Sequence, residues 1–227
     1  MVKLVLFDID GTLIDPGESG RRAATIVFYE MFSIEDAFSR IAMAGKTDLQ
    51  IIKEALSSHG LSSGEEQLLS ILSRYTVKLK IEMKNHKKPV LPGVINLLNV
   101  LKEVDDYYIG LLTGNIEQGA RIKLCAYGLD KYFSSGAFGD DNEDRNKLLP
   151  VAVERFREME NIDFHYSDCI VVGDTPMDVR CSKPFGATSI AVSTGVYSSQ
   201  ALFQAGADYV LRDLSDAIDL FLNAHIQ

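Results

Sequence analysis

The chain opens on a continuous apolar run, KLVLF at residues 3–7, that predicts a buried strand. A polar, Gly-containing turn follows at 8–13 (DIDGTL), then a linker-like stretch at 15–20 (DPGESG). From 21 to 86 the rhythm changes, and the segment reads as almost entirely helical. Thr47 and Gln50 form a capping box that opens a helix with Leu49, Ile52 and Leu56 on one face. A longer helix carries Leu68, Leu72, Tyr75, Leu79 and Met83 at helical spacing. After KKPVLPG (87–93) strands and helices alternate. The spacing predicts helix 94–104, strand 107–112, helix 116–127, an extended piece near 132–138 and a helix at about 147–160 with Leu149, Val153, Phe156 and Met159 inward. Strand 169–174, helix 176–183, strand 188–192, helix 198–205, strand 208–211 and helix 214–223 complete the series. Such alternation predicts an α/β fold, a Rossmann-like parallel sheet with helices on both faces. Residues 1–16 and 90–227 would form this core, and 17–89 an inserted helical bundle.

Composition narrows the function. With 227 residues, 46% of them hydrophobic, the chain is long enough for one substantial core and a smaller second one. A net charge of −9 argues against a nucleic-acid or anionic-membrane partner. The longest basic stretch, KNHKKP (84–89), reads as a solvated linker. Cys125, Cys169 and Cys181 are widely spaced and odd in number, which fits reduced thiols and a cytoplasmic setting. No signal sequence or long apolar span is visible. Oligomeric state is not legible.

The candidate chemistry lies at strand ends. Residues two apart on a strand point the same way, so Asp8 and Asp10 face one small volume. Burying an ionised carboxylate costs several kcal/mol unless something compensates, so this pair implies a cation and a job. Gly11 lets the backbone turn sharply beside them. TGN (113–115) and GDTPMD (173–178) put two more polar turns at strand ends, where ligands of α/β sheets gather. Asn115, with Gln118 at N3, has the form of a helix N-cap. Thr175, with Pro176 at N1 and Asp178 at N3, has that of a capping box, and Thr113 suits a strand-end hydroxyl bonded to backbone. Helix N-termini also bind phosphate, so the capping and ligand readings are compatible.

Taken together, DIDGT, the strand-end Thr113, a downstream lysine and GDTPMD closely resemble the haloacid dehalogenase superfamily of phosphohydrolases, over essentially the whole chain. The helical insertion resembles that family's type 1 cap domain, and GKTD (45–48) with the C-terminal half resembles its phosphoglycolate phosphatase-like branch. The resemblance implies a Mg²⁺-dependent phosphomonoesterase acting on a small phosphorylated metabolite, such as phosphoglycolate, through an aspartyl-phosphate. Asp8 would be the nucleophile and Asp10 the acid and base. Asp8, the backbone carbonyl of Asp10 and Asp174 would hold Mg²⁺, with Asp178 behind them orienting a water or a cation. Thr113 and the N–H groups of Gly114 and Asn115 would hold phosphoryl oxygens.

The family's third motif usually reads Lys-Pro, and here the chain reads DRNKLLP (144–150). Lys147, three residues before Pro150, has the family-like spacing and is preferred; Arg145, also at the helix entrance, is its rival. Lys46 is a candidate for the far end of the substrate. Asp140, Asp141, Glu143 and Asp144 read as solvated loop residues. Asp10 argues against dehalogenases and phosphonate-cleaving relatives, which lack the second aspartate. A β-phosphoglucomutase-like phosphomutase keeps every core motif and stays open. A non-catalytic phosphate-sensing or phosphoacceptor module fits less well, because receivers are about half this length and lack a large insertion.

Overall fold

The computed structural model describes residues 2–85 and 89–223. Six parallel strands form one sheet: β1 (Lys3–Phe7), β2 (Tyr107–Leu112), β3 (Gly136–Ala137), β4 (Cys169–Gly173), β5 (Thr188–Val192) and β6 (Tyr209–Leu211). Their order is β3-β2-β1-β4-β5-β6, so the chain builds outward on one side of β1 and then returns to its other side. The strand order therefore reverses beside β1, and the crevice beyond its carboxyl end is where such sheets bind ligands.

The run at 3–7 lacks alternation because both sheet faces are covered. Leu4 and Leu6 pack with Leu149, Val153 and Phe156 of α6 (Leu148–Glu160), while Val5 and Phe7 join the cluster holding Leu97 and Leu101 of α4 (Val94–Glu103). That second cluster also includes Leu124 of α5 (Glu117–Tyr127). α7 (Pro176–Ser182) packs against β4 and β5 and α8 (Ser199–Gln204) against β5 and β6, while α9 (Ala217–Asn223) returns to α4, with Phe221 edge-on to Tyr107 of β2. Met159, expected inward, is 44% exposed. It occupies the last turn of α6, off the stripe formed by Leu149, Ala152, Val153 and Phe156.

Three helices intervene between β1 and β2, in the order α1 (Ser19–Phe32), α2 (Asp48–Ser58) and α3 (Glu65–Asn85). The segment 33–47 is not helical, contrary to the expectation for 21–86. Ser33 adopts the left-handed conformation (φ 60°) and ends α1, and Phe38 folds back edge-on against Phe28 with ring centroids 4.7 Å apart. Arg21 compensates the irregular backbone by donating to the carbonyls of Phe38 and Ile41. The inserted helices share an apolar cluster with the core: Tyr75 and Leu79 of α3 approach Ile116 and Gly119 at the start of α5. Where the chain leaves and re-enters the core, Ile14 bridges Val90, and the Leu91 N–H donates to the Leu13 carbonyl (3.2 Å). The linker assigned to 84–89 falls partly outside the described residues, as does the start of 87–93. Among the described residues no helix is long and apolar enough to cross a membrane.

Candidate active site

A cavity of about 440 Å³ opens between the sheet's carboxyl edge and the inserted helices. Asp8, Asp10, Asn115, Arg145 and Asp174 line it from the core, and Ala24, Met43, Ile51, Ile52 and Tyr75 from the insertion. Sheet register explains the core contribution. β1, β2 and β4 pair in parallel, so the turns that follow them emerge side by side.

Asp8, Asp174 and Asp178 are buried, and each offers a carboxylate oxygen within 4.8 Å of the others. Arg145 stands against them. Its Nη2 lies 3.1 Å from Asp8 Oδ1 and 2.5 Å from Asp178 Oδ1, and it also donates to the Leu112 carbonyl (3.2 Å). A short 3₁₀ turn at Arg145–Lys147, capped by Asp144, turns residue 145 inward and leaves Lys147 exposed. The geometry thus brings Arg145 to the carboxylates and not Lys147, reversing the order of preference drawn from spacing to Pro150. Asp178 also closes the expected capping box, accepting from the Thr175 N–H (2.9 Å) and hydroxyl (2.7 Å).

Three carboxylates share one guanidinium, and the imbalance shows in their ionisation. Burial pushes Asp8 up to about 6 against the pull of Arg145, with Asp178 and Asp10 adding to the rise. Burial, then the charges of Asp8 and Asp178, hold Asp174 well above the usual carboxylate range. A divalent cation among these oxygens would relieve both costs, and an all-oxygen donor set suits Mg²⁺. The residues present therefore fit that ion. Backbone crowding holds Asp174 in place. A Cβ on Gly11 (φ 85°) would come within 2.4 Å of its Oδ2, and one on Gly195 within 1.7 Å.

Asp10 belongs to a second polar cluster. Its Oδ2 accepts from Lys123 Nζ and from Asn115 Nδ2 (3.1 Å), while its Oδ1 is buried without a hydrogen-bond partner. Asn115 is not the N-cap of α5, as its sequence position suggested. The helix begins at Glu117, and the Asn115 amide instead links Asp10, Lys123 and the Thr113 hydroxyl (2.9 Å). The vacated capping role falls to two carboxylates from elsewhere: Asp48 accepts from the Ile116 N–H and Asp140 from the Glu117 N–H, both at 2.9 Å. Thr113 is fully buried and hydrogen-bonds Asp8. The Asn115 N–H points to the Thr113 hydroxyl (3.3 Å).

The insertion docks through residues 46–48. The Asp48 N–H donates to the Gly114 carbonyl (2.7 Å) and the Thr47 hydroxyl to the Glu143 carbonyl (2.9 Å). Gly114 fits because a Cβ there would lie 2.2 Å from the Lys46 carbonyl oxygen. Lys46 lines the cavity, and its ammonium pairs with Glu54. The acidic loop is structural rather than merely solvated, since Asp141 forms a two-pronged pair with Arg155 (2.7 and 2.5 Å).

Sequence reasoning missed Lys123, Asp48 and the Thr194–Gly195 turn after β5. A lysine on the apolar face of an amphipathic helix was the available signal for Lys123. Asp48 and the glycine turn carried none beyond position.

A family model for haloacid dehalogenase-like hydrolases matches residues 2–186. The chain belongs to that family. Its relatives include a pyrophosphatase PpaX from Halalkalibacterium halodurans, 25% identical over 96% of both chains. A phosphoglycolate phosphatase from Pseudomonas savastanoi is 26% identical over 95% of this chain and 78% of its own. Among solved structures, CbbY from Rhodobacter sphaeroides in complex with phosphate superposes with a TM-score of 0.74, at 20% identity over 95% of this chain and 96% of that one. A hydrolase from Pseudomonas syringae gives 0.73 at 22% identity, covering 97% and 98%. These likenesses share the fold of this hydrolase.

Proposed function

We propose that this haloacid dehalogenase-like phosphatase hydrolyses a small phosphomonoester, with Asp8 as nucleophile and Asp10 as acid and base. The observation that carries the reading is the pairing at the cavity floor. Asp8 is held by Arg145 and Thr113, while Asp10, two residues on, keeps one carboxylate oxygen without a partner.

Asp8, Asp174 and the backbone carbonyl of Asp10 would hold Mg²⁺, which when bound supplies charge neutralisation for the phosphate. Arg145 takes the motif-three role, since a buried fork of donors beside the nucleophile suits phosphoryl oxygens. Thr113 and the N–H groups of Gly114 and Asn115 complete the cradle, and Asp178 fixes Arg145. Asp8 attacks phosphorus, and Asp10 gives its proton to the departing alkoxide oxygen. Asp10 then takes a proton from the water that cleaves the aspartyl-phosphate. Residues 17–89 act as a cap that excludes bulk water while closed. The stretch 15–20 and the described part of 87–93 serve as its hinges.

Two of the named relatives are a pyrophosphatase and a phosphoglycolate phosphatase, which supports a small phosphorylated substrate. Unpaired Cys125, Cys169 and Cys181 are consistent with a cytoplasmic setting. The test is phosphate release from phosphoglycolate, pyrophosphate and sugar phosphates, with and without Mg²⁺ and with product analysis. Mg²⁺-dependent release from an ester supports the reading. Conversion of a hexose 1-phosphate to its isomer without net release would replace it with the phosphomutase.

A further inference from the structure

Resting on that reading, we infer that Lys123 is a positioning residue for Asp10, fixing the orientation of the carboxyl group that serves the leaving group. Lys123 lies on α5 among Gly119, Ala120, Leu124 and Tyr127 and is 3% exposed. Lysine is almost never so buried unless its ammonium is paired, because desolvating the charge costs several kcal/mol. Here the ammonium reaches Asp10 Oδ2 and lies 2.6 Å from Asn115 Oδ1.

The chemistry of the donors orients the whole cluster. An ammonium has no lone pair, and the Asp10 oxygen that accepts from it, Oδ2, has no proton to give back. Asn115 must therefore turn its oxygen to Lys123 and its NH₂ to Asp10 Oδ2 (3.1 Å) and the Thr113 hydroxyl (2.9 Å). Two donors hold Oδ2, and Oδ1 is left buried with none. A carboxylate pinned by one oxygen loses its rotational freedom. In the first transfer the Asp8 oxygen–phosphorus bond forms and the phosphorus–alkoxide bond breaks. The bond's electron pair goes to the alkoxide oxygen, which takes the Asp10 proton.

Leaving-group dependence separates positioning from mere folding. An alkyl ester needs that proton, worth about 10²–10⁴-fold in rate, whereas a dinitrophenolate departs as a stable anion. The experiment measures kcat/KM for an alkyl phosphomonoester and for dinitrophenyl phosphate in wild type, Lys123→Met and Lys123→Arg, with circular dichroism to establish folding. Lys123→Met is expected to lower the alkyl-to-aryl ratio at least about tenfold. Lys123→Arg, which keeps the charge but not its point geometry, is expected to lower it by a smaller factor and decides the matter if the methionine variant does not fold. An unchanged ratio in either folded variant overturns the inference while leaving the phosphatase reading intact. Failure of wild type to cleave either ester overturns both.

Discussion

Replacing Arg145 by methionine removes the cation that Asp8, Asp174 and Asp178 share. Its Nη2 makes three contacts, to Asp8 (3.1 Å), Asp178 (2.5 Å) and the Leu112 carbonyl (3.2 Å), in a site where the side chain is 6% exposed. Removing one partner of a buried ion pair costs about 3–5 kcal/mol, because the remaining charges stay desolvated. For a chain of this size each kcal/mol lowers Tm by about 2–4 °C, so a drop of roughly 6–20 °C is expected in metal-free protein. Lys147→Met, at an exposed position, should stay within about 0.5 kcal/mol. Mg²⁺ should restore more stability to Arg145→Met than it adds to wild type, because carboxylates freed of the guanidinium bind the ion more tightly and each tenfold fall in Kd adds about 1.4 kcal/mol at saturating ion. Thermal unfolding by circular dichroism, with chelator and with Mg²⁺, reads all of this. A metal-free Tm for Arg145→Met within 2 °C of wild type, by roughly the same conversion, would refute the reasoning. Equal losses in the two variants would refute it too.

Other expectations follow from the same geometry. Burial pushes Asp48 up to about 6, against an ordinary value of 3.8. The folded state therefore binds the extra proton between about pH 4 and 6, and the Asp48 contribution to stability is lost as pH rises through that window. Asp48→Asn should gain on wild type by roughly 1–2 kcal/mol from pH 4 to 7, allowing for solvent screening, in denaturant titrations. A constant difference would contradict the burial argument. Gly114→Ala puts a methyl group 2.2 Å from the Lys46 carbonyl oxygen and should undock residues 46–48, lowering kcat/KM about tenfold or more; an unchanged value would mean the cap need not seat there. Thr175→Ala breaks a capping box and should cost about 1–2 kcal/mol, measured by urea unfolding, with no loss counting against the cap.

Much of the architecture was legible because few solutions exist for alternating strands and helices with buried strands. The boundaries of β1, β2 and β5 follow directly from apolar runs bounded by turns. Thr175 and Asp178 were readable because a capping box is local chemistry. Arg145 and Lys147 were not separable, since both sit at a helix entrance and a single 3₁₀ turn decides which faces inward. Asn115 misled for a related reason. Its amide suits a cap, but Asp48 and Asp140 reach the same helix end from distant parts of the chain. Long-range partners of that kind leave no periodic trace.

The most direct test of the central assignment is phosphate release from an alkyl phosphomonoester by wild type and Asp8→Asn, each with Mg²⁺ and with chelator. The account predicts turnover by wild type with Mg²⁺, its loss on chelation, and a fall of at least about 10²-fold in Asp8→Asn. Comparable turnover in Asp8→Asn, or none in wild type on any ester, would contradict it.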